Sequence, residues 1–116
     1  MITPEHFLAT KLEAFHGRGR NDYAGSHDLE DVIAVVDGRS EIVEEVHANP
    51  DVREYVSFEI GRLLGIQAFL DALPGFLRPD RASQRRYPLL VARLRAIVGA
   101  GPAATPPPRG RGPRTP

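Results

Sequence analysis

Cysteine is absent from these 116 residues, which excludes thiolate metal sites, a disulfide framework and a cysteine nucleophile together. The absence agrees with a reducing compartment. No apolar run approaches the roughly 20 residues that a membrane-spanning helix needs, and the N-terminus carries Glu5 with no signal-like apolar stretch. The chain is therefore expected to be cytoplasmic. No internal repeat occurs, and no His-x-x-x-His pair or carboxylate cluster has metal-ligand spacing. Acid is missing from the end of the chain, where Arg109, Arg111 and Arg114 stand without a single Asp or Glu. Residues 1–99 then hold twelve basic against fifteen acidic side chains, a net of −3. A part with that sign is no bulk trap for nucleic acid, so any such contact needs a local patch.

What is present reads as helix. The length is that of one modest domain, and 41% hydrophobic with 26% charged residues is an ordinary globular composition. Thr3 is an N-cap candidate, Pro4 suits the first helical position, and Phe7, Leu8, Leu12 and Phe15 recur at helical spacing until Gly17 and Gly19. Residues 17–25, with three glycines and no periodicity, read as a loop. A second helix opens at Ser26, with Asp28 and Glu30 in a first turn whose dipole favours carboxylates, and runs through Leu29, Val32, Ile33 and Val36 to Gly38. Ser40 is expected to cap a short acidic helix ending near Asn49, and Pro50 to start the next. Val52, Val56, Ile60, Leu63 and Leu64 form a stripe that continues through Ile66, Phe69, Leu70 and Leu73 to Pro74. A last helix spans from near Pro88 to Gly99, with Leu90, Val91, Leu94, Ile97 and Val98 inward.

The fold class is thus mainly α, a helical domain of about five helices over residues 1–99 with no clear strand. Residues 100–116, rich in proline, glycine and arginine and without a large apolar residue, are expected to be a disordered basic tail.

Helical arithmetic singles out one residue. At about 100° per residue the apolar side chains of the first helix span an arc of roughly 160°, and Lys11 falls inside it between Phe7 and Phe15. An ammonium beside apolar surface needs an anion, a cleft or a route to water. On the second helix Asp28 borders the apolar face, with Asp31 one step further round. If the two helices pack antiparallel across the glycine loop, the three side chains fall within about a turn of one level. Two readings stay open on these residues alone: an ion pair that pins two helices, or an anion site shared by Lys11 and the aspartates.

The segments FLATKLEAF and SHDLEDVIAVVDGR, separated by a glycine-arginine loop, resemble the later motifs of AbiEii/AbiGii-type nucleotidyltransferases, toxin-like enzymes of toxin–antitoxin systems. In these an alanine-Met/Thr-Lys-Leu helix precedes an Asp-Leu-x-Asp-Leu helix. The resemblance covers residues 7–39, and residues 40–98 are compatible with the helical remainder of a subgroup of such bacterial proteins. It implies that Lys11 contacts the triphosphate of an incoming nucleotide, that Asp28 serves as base, and that Asp31 matches the second aspartate. The family commonly has Arg directly before the first aspartate. His27 stands there instead, and Arg18 or Arg20 in the loop would supply the charge.

The family's metal-binding half, a Gly-Ser turn and paired carboxylates on a sheet, has no counterpart among these residues. The resemblance therefore implies a partial or split nucleotidyltransferase, inactive alone, which magnesium and a nucleoside triphosphate would enter only once an N-terminal half completes it. That half would be expected to bury the apolar face of the first helix. The alternatives are a non-enzymatic helical module that binds an antitoxin-type partner, and a protein that reaches RNA through its basic tail.

Overall fold

The computed structural model describes residues 2–18 and 22–99. Among them the chain is mainly helical, and no strand occurs. Helix α1 (Pro4–Arg18) begins as its residues dictate. The Thr3 hydroxyl accepts the His6 amide at 3.3 Å and the Thr3 carbonyl accepts the Phe7 amide at 2.9 Å. It runs one residue past Gly17, whose absent side chain alone does not stop it. Helix α2 (His27–Gly38) is capped by Ser26, whose hydroxyl accepts the Leu29 amide at 3.1 Å.

Four boundaries differ from expectation. Ser40 does not cap α3 (Ile42–Ala48); the Ile42 amide bonds back to the Arg39 carbonyl at 3.1 Å, and this turn postpones the helix until Glu41 sits at its N-cap. Pro50 does not open α4 (Arg53–Leu64), because the Asn49 side chain accepts the Asp51 amide at 3.0 Å and forms a turn first. The long stripe breaks after Leu64, where Ile66 adopts an extended conformation before α5 (Gln67–Ala72) and a 3-10 turn over Leu73–Phe76. Lastly a single-turn helix, α6 (Arg81–Gln84), stands where no helix was expected, held by Asp80, whose carboxylate accepts the Ser83 amide at 2.8 Å. Helix α7 spans Tyr87–Gly99. Five expected helices become seven among the described residues. The tail, residues 100–116, lies outside them, as does Arg20.

One apolar core joins these elements. Leu8, Leu12, Phe15, Leu29, Val32, Ile33, Val36, Val56, Ile60, Leu63, Leu94 and Ile97 are all buried, as their stripes require. Helix α1 packs chiefly on α2, and α4 on α7. Contacts with α3 and α4 complete the cover over α1. The apolar face of α1 is thus largely covered within the chain, with Leu8, Leu12 and Phe15 buried and Phe7 partly exposed. Two interactions close the ends of helices. Arg93 donates to the Val36 and Asp37 carbonyls at 3.0 and 2.8 Å, and the Ser57 hydroxyl donates to the Val98 carbonyl at 3.0 Å.

Candidate functional site

Lys11 sits midway along α1, with Leu8, Leu12 and Phe15 buried on either side of it. Its side chain is 27% exposed. The ammonium lies 5.5 Å from the centre of the Phe7 ring, one turn earlier, within range of a cation–π contact. Across the helix interface stand the two aspartates of α2. Nζ is 2.9 Å from Asp31 Oδ2 and 3.8 Å from Asp28 Oδ1.

The two carboxylates are unequal. Asp28 belongs to the first turn of α2, where unpaired amides favour negative charge, and its side chain is only 9% exposed. Asp31, one turn on, is 43% exposed and makes the shorter contact. The expected grouping of Lys11, Asp28 and Asp31 is therefore present, with Asp31 rather than Asp28 as the close partner. The group is open to water on the Lys11–Asp31 side and closed by Asp28 beneath. Phe15 packs its ring against Tyr23 at 5.5 Å, which ties the end of the connecting loop to α1 on the same side of the molecule.

These residues do not fit a magnesium ion. The ammonium occupies the place between the carboxylates where a cation would sit, and no three His, Asp or Glu side chains converge as ligands among the described residues.

Of the other expected site residues, Arg18 closes α1 and Arg20 lies outside the described residues. His27 is 94% exposed and pairs with Glu30 at 3.3 Å, turned away from the core. An open cleft of about 400 Å³ lies elsewhere, between the start of α1 and the α3–α4 turn, bordered by Thr3, Glu5, Glu45, Asn49 and Pro50, and it holds none of the expected site residues.

A second polar group went unread. Glu59 on α4 is buried at 5% exposure, with Arg62 donating to it at 2.9 Å and the His16 ring of α1 lying 3.9 Å away. The signal was available, since Glu59 falls on the Val56–Ile60–Leu63 face of its helix just as Lys11 does on its own. Partial burial and the charges of Glu59 and Glu13 push the nearby Tyr55 hydroxyl above its ordinary value.

No protein-family model, curated protein or solved structure matches this chain. Its site therefore stands on its own geometry. In chemical terms that site is a partly solvated ammonium paired with two carboxylates.

Proposed function

We propose that this chain is the nucleotide-phosphate end of an AbiEii-type nucleotidyltransferase site, with Lys11 as the phosphate contact, Asp28 as the base and Asp31 beside it. One observation supports the reading above others. Lys11 is the sole lysine of the chain, lies on an apolar helix face, and stays 27% exposed beside two carboxylates. A lysine needed only for solubility would lie on the outer face of α1. The metal-binding carboxylates of such an enzyme would come from an N-terminal half, and the chain alone would transfer nothing.

The test is calorimetric titration of the full chain with ATP, GTP, CTP and UTP, in parallel with Lys11→Ala. Triphosphate binding that disappears in the variant is the expected result. Periodate-oxidised nucleotides, which form imines with amines, should then label Lys11, located by peptide mass spectrometry. Absence of binding, or binding unaffected by the substitution, would remove the reading.

The ion pair itself favours a second reading. A 2.9 Å contact between neighbouring helices is also what a structural bridge looks like, and it would suit a helical interaction module that binds an antitoxin-type partner without catalysis. Stability measurements on Lys11 variants, developed below, separate the two.

A further inference from the structure

Apolar exposure is concentrated on one helix. The exposed large apolar residues among those described are Ile2, Tyr55, Phe58 and Leu89, and of these Tyr55 and Phe58 stand together on α4, with Phe58 the most open at 66%. Three residues apart, they are neighbours on the helix surface. The other side of α4 is the core side, where Val56, Ile60 and Leu63 are buried and where α1 and α7 pack.

At about 100° per residue Phe58 marks the centre of the outer face. Glu54 and Arg62, one turn before and one turn after it, lie within about 40° of that centre, and Tyr55 within about 60°. Burial agrees with the arithmetic: Glu54, Tyr55 and Phe58 are exposed, while Ser57 and Glu59 on the two flanks are buried.

This face is ordered about Phe58 in a way that complements itself. Four residues before Phe58 stands an acid, Glu54, and four after it a base, Arg62; three before stands a ring, Tyr55, and three after a residue without a side chain, Gly61. In an antiparallel pair with a two-fold axis at the level of Phe58, Glu54 and Tyr55 of one copy come level with Arg62 and Gly61 of the other. Carboxylate and ring then both meet a guanidinium, the glycine lets the helices approach, and the two Phe58 rings meet at the axis. A parallel pair instead sets Glu54 against Glu54 and Arg62 against Arg62. The charges are not otherwise consumed. The Glu54 carboxylate has no ion pair among the described residues, and Arg62, 36% exposed, commits Nη2 to Glu59 and His16 at 2.9 and 3.4 Å while Nη1 has no partner there.

We infer that the outer face of α4, centred on Phe58, is the surface on which two copies of this chain pair antiparallel. Size sets the strength. A helix of 12 residues is about 18 Å long, so the contact is smaller than the roughly 800 Å² per partner of a standard interface, and the pairing is weak and concentration-dependent.

Sedimentation equilibrium of the full chain from about 10 μM to about 1 mM tests this, with a monomer–dimer equilibrium centred inside that range as the expected result. Phe58→Ser should weaken the dimer about tenfold or more, since two rings leave its centre. Phe58 is exposed, so the variant keeps its fold, which circular dichroism checks. Glu54→Arg reads the direction of pairing. It sets like charges level in the antiparallel pair and should weaken the dimer about threefold or more at low salt, with the difference fading at high salt. A chain that stays monomeric at about 1 mM overturns the inference. So does a dimer of wild-type affinity in Phe58→Ser, which places the contact on another face, or one that Glu54→Arg leaves unchanged or strengthens, which makes the helices parallel.

Discussion

Replacing Lys11 with alanine removes the ammonium from Asp31 at 2.9 Å, from Asp28 at 3.8 Å and from the Phe7 ring at 5.5 Å. The cost follows from how much water already reaches the group. With Lys11 27% and Asp31 43% exposed, their attraction is that of a solvated pair, about 0.2–1 kcal/mol. The ring contact adds about 0.5 kcal/mol at such a site. Asp28 is left without its neighbouring cation, but it keeps the favourable first turn of α2, which contributes about 0.3–1 kcal/mol. Relief of a charge held against apolar surface acts in the opposite direction. The net expectation for Lys11→Ala is a loss of about 1 kcal/mol or less. In a domain of this size that lowers Tm by about 4–8 °C at most. Urea denaturation of wild type, Lys11→Ala, Asp28→Ala, Asp31→Ala and the double variants measures it. A buried structural bridge behaves differently, since stranding one partner then costs about 3 kcal/mol or more. A loss of that size in both Lys11→Ala and Asp28→Ala, with coupling well above about 0.5 kcal/mol in the double variant, would refute the phosphate-site reasoning and leave a salt bridge.

Other positions test the surrounding structure. Ser26→Ala should cost about 1 kcal/mol in chemical denaturation through loss of the α2 cap, while Ser26→Asp retains most of it. Arg93→Ala frees the Val36 and Asp37 carbonyls and should cost about 1–3 kcal/mol in the same assay. Gly61→Ala should stabilise by about 0.5–1 kcal/mol, because the position is mid-helix and an added Cβ meets Val98 at an ordinary 3.5 Å; a loss of stability there would show that α4 and α7 are packed more tightly than these distances imply. The Ser83 amide and hydroxyl hold the Asp80 carboxyl below its ordinary value. That group stabilises the fold above the unfolded carboxyl value and ceases to do so as pH falls through the lower folded value, so Asp80→Asn, which keeps the cap, should flatten the acid limb of a stability-against-pH curve.

The apolar stripes and the caps at Thr3 and Ser26 lie within single helices, and hydrogen bonds and burial of that range are legible in local order. So was the oddity of Lys11, because one helix's periodicity suffices to show a cation on an apolar face. Glu59 obeyed the same arithmetic and could have been found with it. Partners were another matter. That Asp31 approaches Lys11 more closely than Asp28 depends on the rotation of α2 against α1, which side-chain packing sets to a fraction of a turn. The breaks at Asn49 and Ile66 and the extra turn at Asp80 arise where a side chain or carbonyl competes for a helix amide, a contest too finely balanced for spacing to decide. Charge division was written in the order of residues, with every acid at or before Asp80. Only the tertiary structure sorted the arginines, because Arg86 and Arg93 meet Asp37 and the end of α2 from some fifty residues away, while Arg81, Arg85 and Arg95 meet water.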